Sequence, residues 1–349
     1  MQPIQTALCS FGMSGWVFHA PFIQHNPGFN LYGVVERTKN LAVEKFPAIK
    51  TFRSLEEMLA DKHIELVIVN TPNLTHYEFA KMALLAGKHV VVEKPFTPTV
   101  DQCKELIAIA KDNNLHLSVY QNRRFDSDFR TVKKIISEGL LGEIIDASIH
   151  YDRFVPALSY KAHKETAAKG VGCLYDLGSH IIDQALQLFG MPDAVFADIM
   201  SNRPGSAVDD YIDIKLFYLQ HRVTIKSSYF VKEPLPGFVM HGRKGSFLKH
   251  RADVQEAALQ AGTSVDTENW GIEPNEKQGF LHTEHDGEII KTSISTEKGN
   301  YGDFYNGIYQ AIRNGAPLPV TAEEGLNIIK VIEAALESHQ QQRVVSLNK

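Results

Sequence analysis

Ser10-Phe11-Gly12-Met13-Ser14-Gly15 is the stretch on which the fold turns. It follows an apolar run, Ile4 to Ser10, that has the character of a buried strand. A glycine turn between a strand and a helix, spaced GxGxxG, is the fingerprint of a dinucleotide-binding βα unit. Ser10 stands where the first glycine belongs. Gly12 occupies the position where backbone must approach a pyrophosphate closely, and Gly15 the position where the helix packs on the strand. The helix behind the loop offers unpaired N–H groups and the positive end of its dipole to phosphate.

Working outward, Leu31–Glu36, Leu66–Asn70, His89–Glu93 and Leu115–Tyr120 are further short apolar runs rich in Val and Ile. Runs that are apolar on both faces belong to a parallel sheet covered by helices on both sides. The helices between them carry their own signals. Ser54 and Glu57 have capping-box spacing, as do Thr99 and Gln102, and the Thr75–Ala86 segment ends at Gly87. This alternation predicts a doubly wound α/β Rossmann domain over residues 1–122.

Beyond residue 123 the pattern changes. Helices are expected over Phe129–Ser137 and Leu174–Phe189. Strands are expected over Glu143–Arg153, Val195–Ser201, Tyr211–Tyr218 and Val223–Phe230. In Asp210-Tyr211-Ile212-Asp213-Ile214-Lys215-Leu216 apolar and polar residues alternate, as in an antiparallel sheet with one exposed face. Residues 252–300 suggest hairpins and surface loops, and two helices near 302–314 and 322–341 close the chain. Residues 123–349 are therefore expected to form a second domain, of α+β character with an antiparallel sheet.

The 349 residues exceed one ordinary core, which agrees with two domains. A net charge of −5 argues against a nucleic-acid partner. Cys9, Cys103 and Cys173 are few and far apart, which excludes a disulfide framework and a cysteine zinc site. With no apolar run long enough to span a bilayer and no secretory pattern after Met1, the expectation is a cytoplasmic protein without a membrane partner.

The candidate cofactor site extends from the loop residues Ser10, Gly12, Met13, Ser14 and Gly15. Glu36, at the end of the second predicted strand, sits where an acidic residue meets the ribose hydroxyls of NAD, whereas Arg37 would suit the 2′-phosphate of NADP. The cofactor is thus NAD or NADP. Thr71, Pro72, Asn73 and His76, then Glu93 and Lys94, then Asn122, follow the carboxyl ends of later strands, where open α/β sheets bind ligands.

In the second domain, Asp176 and His180 are four apart within Gly170–Asp183, so a helix would place them on one face. The order glycine loop, Glu93-Lys94-Pro95, Gln121-Asn122-Arg123-Arg124-Phe125-Asp126 and Asp176/His180 resembles the Gfo/Idh/MocA family of glucose–fructose oxidoreductase and inositol dehydrogenase. The resemblance spans essentially the whole chain. It implies an NAD(P)-dependent dehydrogenase acting on a secondary hydroxyl of a polyol, inositol or sugar, with an α+β second domain over residues 123–349 built on a large, mostly antiparallel open sheet that binds substrate and forms a homodimer or homotetramer. It assigns the chemistry to Lys94, Asp176 and His180. An imidazole, whose unperturbed pKa is about 6.5, suits proton removal from an alcohol, and a lysine ammonium suits a developing alkoxide. Arg123 and His163 join Lys94, Asp176 and His180 as expected substrate contacts. Asn122 and Arg124 are expected either to touch substrate or to brace the domain. Asp183 is expected to be structural or to hydrogen-bond substrate. Two readings compete: a non-catalytic NAD(P)-binding regulator of the same fold, and a metal site on Asp176, His180 and Asp183.

Overall fold

The computed structural model describes residues 2–347. Met1 and residues 348–349, the outer ends of the two expected domains, lie outside the described residues. The chain forms two compact units. The first holds the residues through Asn122 together with Gln255–Trp270 and Asn300–Leu326, and the second holds Arg123–Val254, Gly271–Gly299 and the residues from Asn327 onward.

The first unit is built on a six-stranded sheet. Its strands are β1 (Ile4–Leu8), β2 (Phe29–Val35), β3 (Lys50–Phe52), β4 (Leu66–Val69), β5 (His89–Glu93) and β6 (Leu117–Tyr120). They run parallel in the order β3-β2-β1-β4-β5-β6. That order reverses direction between β1 and β4, which opens a crevice at the carboxyl ends of the strands. All four residues of β4 are buried, and so are Val90, Val91 and Val92 in β5. Burying each such side chain contributes roughly 1.5–3 kcal/mol relative to exposure. Thr99 caps its helix as the spacing predicts, by accepting from the Gln102 N–H. Ser54 likewise accepts from Glu57 N–H, but the Glu57 carboxylate reaches one residue further back than a capping box requires, to Arg53 N–H.

β3 escaped the sequence reading because Lys50-Thr51-Phe52 has no apolar run; a single buried anchor, Phe52, holds this edge strand. The return segments were not foreseen either. Tyr301, Phe304 and Tyr305, on and beside the Gly302–Asn314 helix, are fully buried in the first unit, against Phe18, Phe22 and Tyr120. A helical pattern shows that a face is buried but not which core receives it.

The second unit is built on a nine-stranded sheet. Its strands are β7 (Ile144–His150), β8 (Ala194–Met200), β9 (Tyr211–Phe217), β10 (Arg222–Ser228), β11 (Phe238–Gly242), β12 (Gly245–Lys249), β13 (Gly279–His285), β14 (Glu288–Ile294) and β15 (Val345–Ser346). The order is β14-β13-β12-β11-β7-β10-β9-β8-β15, antiparallel except for the β7–β10 pair. Alternating burial along β9 and β10 gives the sheet one packed face. The Ser127–Ser137 and Ser179–Phe189 helices belong to this unit, and their inward residues include Phe129, Val132, Ile135, Ile181, Ile182 and Ala185. β11 and β12 were missed because a lysine stands inside the hairpin. Lys249 is fully buried, and Glu273 Oε2 at 2.5 Å balances its charge. In the segment read as hairpins and loops, β13 and β14 are the hairpin, while Val254–Gln260 is helical.

Candidate active site

In the first unit the glycine loop is shaped by Asn70, at the end of β4. The Asn70 amide oxygen accepts from Ser10 N–H at 3.0 Å, and its amide nitrogen donates to the Ser10 carbonyl at 2.8 Å. The Ser10 hydroxyl donates to the Asn70 carbonyl at 2.8 Å. A serine therefore replaces the first glycine by turning its hydroxyl into a third tie. Gly15 is required by the same clamp: a Cβ there would stand 2.5 Å from the Ser10 carbonyl oxygen and 2.9 Å from Asn70 Nδ2. A Cβ on Gly12 would meet nothing within 4 Å. The loop thus leaves open, next to Gly12, the space a pyrophosphate requires, and the residues present fit a dinucleotide. Asn70 was absent from the sequence-derived set. The signal was available: an amide closing a buried strand must find partners.

The segment after the loop, Ser14–His19, is a π turn that continues into the Ala20–His25 α-helix. Single π turns occur often at functional sites. Ser14 and His19 both reach Glu93 at the end of β5. The Ser14 hydroxyl donates to Glu93 Oε1 at 2.5 Å, and His19 Nε2 donates to the same oxygen at 3.0 Å. Glu93 Oε2 accepts from the Lys94 N–H at 3.1 Å. The Tyr305 hydroxyl meets His19 Nδ1 at 2.5 Å. Burial pulls the Glu93 carboxyl up, but His19, Ser14 and Lys94 outweigh it and hold it below the usual carboxylate range. Glu93 is therefore a tie between the loop and the residue that carries the Lys94 ammonium. The Lys94–Pro95 peptide is cis.

The remaining cofactor-side residues divide. Thr71 and Asn73 are half-buried, and Pro72 and Met13 are exposed. His76 is 0% exposed, and its ring lies between the carbonyls of Thr71 at 2.9 Å and Pro95 at 2.8 Å. It joins the two loops and has no surface to offer a ligand. Asn122 is buried beyond the end of β6. Glu36 is 7% exposed, and both its carboxylate oxygens accept backbone N–H groups, from Leu41 at 3.0 Å and Ala42 at 3.1 Å. Arg37 is exposed.

The second unit contains a parallel construction. Gly170 and Gly172 take φ of 94° and 106°, values open to glycine, and lead into a π turn, Leu174–Gly178. The predicted Leu174–Phe189 helix thus begins as a π turn and becomes α-helical at Ser179. Asp209 closes its start. Its Oδ2 accepts from Leu174 N–H at 2.6 Å, and its carbonyl accepts from Cys173 N–H at 2.9 Å. A Cβ on Gly172 would collide with the Asp209 carboxylate. Burial raises the Asp209 carboxyl to about 6. Nothing in the sequence singled Asp209 out, because its role depends on the β8–β9 connection returning to this turn.

Asp176 lies in the π turn and His180 in the first α turn, 5% exposed. Lys164 Nζ pairs with Asp176 Oδ2 at 3.3 Å. His163, the neighbour expected to touch substrate, is exposed, and burial and the two adjacent lysines, Lys164 and Lys161, lower its pKa. The Tyr151 ring stands 6.3 Å from the His180 ring. Three residues past His180, Asp183 receives Arg124 in a two-pronged pair, Nε to Oδ2 at 2.8 Å and Nη2 to Oδ1 at 2.6 Å. Arg123 pairs with Asp253 at 2.7 Å and Asp126 at 3.4 Å. Arg251 donates to the His150 carbonyl at 2.5 Å and to Gln184 at 2.8 Å. Each guanidinium already has an acceptor within the unit, and Arg124–Asp183 fixes the helix that carries His180. Among the described residues no group of three His, Cys, Asp or Glu side chains is placed to hold a metal ion, and no helix is long and apolar enough to cross a membrane.

A six-stranded parallel sheet in the order of a Rossmann domain, with open space beside Gly12 in its glycine loop, and a mostly antiparallel sheet in the second unit are the parts of a nicotinamide-dependent oxidoreductase. Comparison with known proteins fixes the family. Residues 4–121 match the oxidoreductase-family NAD-binding Rossmann fold and residues 133–347 its C-terminal alpha/beta domain. The chain belongs to the Gfo/Idh/MocA oxidoreductase family, whose named relatives are dehydrogenases and reductases acting on CH–OH groups. The chain is 39% identical over 344 residues to scyllo-inositol 2-dehydrogenase (NADP(+)) IolW of Bacillus subtilis, covering 99% of this chain and 96% of that one. A solved oxidoreductase candidate from Bacteroides fragilis is 48% identical with a TM-score of 0.91, over 99% of this chain and 100% of that one. The YvaA structure from Bacillus subtilis is 39% identical with a TM-score of 0.96, over 99% of each chain.

Proposed function

We propose that this NAD(P)-dependent oxidoreductase moves a hydride between the nicotinamide and a secondary hydroxyl or carbonyl of a polyol, an inositol or a sugar. The observation that carries the reading is the Asp176/His180 segment, held at its start by Asp209 and behind His180 by Arg124–Asp183. The pairing of Arg123, Arg124 and Arg251 with acceptors of the same unit supports a neutral, polyhydroxylated substrate over an anionic one. The name of the Bacillus subtilis relative supports an inositol, and D-glucoside 3-dehydrogenase, 29% identical over 54% of this chain, supports a sugar.

The bound dinucleotide supplies the acceptor for the hydride that leaves the carbinol carbon. His180 takes the hydroxyl proton as the carbonyl forms, and returns it in the reductive direction. Asp176 orients the imidazole or a substrate hydroxyl, and Lys164 holds that carboxylate. Lys94 offsets the negative charge that develops on the oxygen. The same reading includes a reducing, cytoplasmic location, which suits three buried free thiols. It also includes a homodimer or homotetramer through the nine-stranded sheet, for which light scattering should give two or four copies; a monomer would remove that part.

The test uses the full chain with NAD+ and NADP+ against a panel of inositols, polyols and aldoses, followed at the reduced-nicotinamide absorbance. His180→Ala should lower kcat by about 10²–10⁴-fold, with dinucleotide affinity changed less than about twofold. Unchanged turnover in that variant would remove His180 as the base. Dinucleotide binding without turnover across the panel would favour the regulator.

A further inference from the structure

We infer that the buried Arg203–Glu165 pair is a positioning clamp that holds Lys164 on Asp176, and so sets the affinity of the second unit's site for its alcohol. The inference rests on the oxidoreductase reading above and deepens it, by naming what fixes the loop that supplies Lys164.

Between Asp152 and Asp176 the chain carries Arg153, Lys161, Lys164 and Lys169 but a single acid, Glu165. Arg203 grips that carboxylate in a two-pronged pair, Nη1 to Oε1 at 2.9 Å and Nη2 to Oε2 at 3.1 Å. Ser159 N–H donates to Oε1 at 2.8 Å, and the Ser206 hydroxyl donates to Oε2 at 3.3 Å. Arg203 Nη1 also donates to the Ala157 carbonyl at 3.4 Å. The Glu165 N–H donates to the Ala162 carbonyl at 3.0 Å, which closes the Ala162–Lys164 3₁₀ turn. One guanidinium and one carboxylate thus tie Ala157, Ser159 and the turn bearing Lys164 together.

The guanidinium is anchored in turn. Arg203 is 5% exposed, and its Nε and backbone N–H both donate to Asp210 Oδ2, at 3.2 and 2.8 Å. Its Cζ stands 5.1 Å from the centre of the Tyr229 ring. Asp210 is fully buried and follows Asp209, the acid that closes the start of the turn bearing Asp176. Two adjacent acids therefore fix both partners of the Lys164–Asp176 pair. Asp209 holds the turn that carries the carboxylate, and Asp210, through Arg203 and Glu165, holds the turn that carries the ammonium. Lys164 and Asp176 are 50% and 33% exposed, and an exposed ion pair stabilises too little to order a lysine and its loop unaided. A buried, two-pronged pair supplies that order. On the reading above, Asp176 then meets the alcohol already oriented, so the effect of the clamp falls on KM. Every group of the clamp belongs to the second unit.

Kinetics of the full chain at saturating dinucleotide test this, with the alcohol of the panel that the native chain turns over fastest. Glu165→Ala, which leaves Arg203 its Asp210 partner, should raise KM about three- to fivefold, keep kcat within about twofold and leave dinucleotide affinity unchanged. Arg203→Lys keeps the charge beside Asp210 but cannot grip both Glu165 oxygens, and should match it. Glu165→Gln retains an acceptor oxygen and should keep KM within about twofold of native. Because the clamp acts through Lys164, Glu165→Ala combined with Lys164→Met should raise KM no further than Lys164→Met alone, whereas independent roles would multiply to about tenfold or more. If thermal melting shows that Glu165→Ala does not fold, Arg203→Lys carries the same double-variant comparison. Effects that multiply, or a folded clamp variant with native KM, overturn the inference and leave the oxidoreductase reading standing. A native chain that oxidises no alcohol of the panel overturns both.

Discussion

The two glycine loops use one construction for opposite ends. Ser10–Gly15 and Gly170–Cys173 each feed a π turn, Ser14–His19 in the first unit and Leu174–Gly178 in the second. The first loop is clamped by a neutral amide, Asn70. The second is closed by a carboxylate of its own unit, Asp209. The start of a helix attracts negative charge. On the proposed reading the first loop receives a pyrophosphate, so the protein does not fill that charge itself and a neutral residue shapes the loop. On the proposed reading the second loop presents Asp176 and His180, and there an internal acid satisfies the helix-start donors.

The sharpest way to break the comparison is midway along the second unit's Ser179–Phe189 helix. Removing the Asp183 carboxylate by Asp183→Ala leaves Arg124 buried without its two-pronged partner. This should cost about 3–5 kcal/mol in denaturant unfolding. A loss below about 1 kcal/mol would mean that the pair does not hold the helix. The matching change in the first unit is Gly15→Ala. The new Cβ would press on Ser10 and Asn70, so stability should fall by about 1–3 kcal/mol. NADPH affinity should fall with it, while Gly12→Ala, which meets nothing within 4 Å in the unliganded fold, should lower affinity at nearly constant stability. Equal effects of the two alanines on stability would erase the distinction between packing and binding glycines.

A smaller effect is expected at Lys164. Losing one exposed ion pair is worth about 0.2–1 kcal/mol, so Lys164→Met should raise KM for the alcohol a few-fold, leave NADPH affinity unchanged and leave the melting temperature within a degree or two. Lys164→Arg should restore KM.

A last prediction tests the acid at the second loop. Burial raises the Asp209 carboxyl from 3.8 to about 6, so the folded protein binds its proton more tightly than the unfolded chain. Its contribution to stability is therefore most favourable below the unfolded pKa and is lost as pH rises through about 6. Asp209→Asn keeps an oxygen for Leu174 N–H and removes the titration. Relative to that variant, the native chain should lose on the order of 1 kcal/mol between pH 4 and pH 6.5. A pH-independent difference between the two would refute the assignment.

Much of this was legible in the residues. Runs such as Leu66–Val69 and His89–Glu93 cannot be exposed on either face, and Tyr211–Phe217 must expose one, so chain chemistry alone separated a parallel sheet from an antiparallel one. The glycine loop, the Asp176/His180 spacing and the long Ala322–Gln341 helix were likewise local patterns. What tertiary structure decided was which polar groups meet. Glu36 closes its strand as an acid, but only the fold shows that the Leu41 and Ala42 N–H groups, supplied by the turn beyond, meet its two carboxylate oxygens. His76 and Glu93 turned out to tie loops together, and Asn70 and Asp209, the residues that shape both loops, reach them from 60 and 35 positions away. Periodicity reports whether a side chain is buried. Hydrogen-bond partners are set by the crossing of distant strands, and that the sequence does not print.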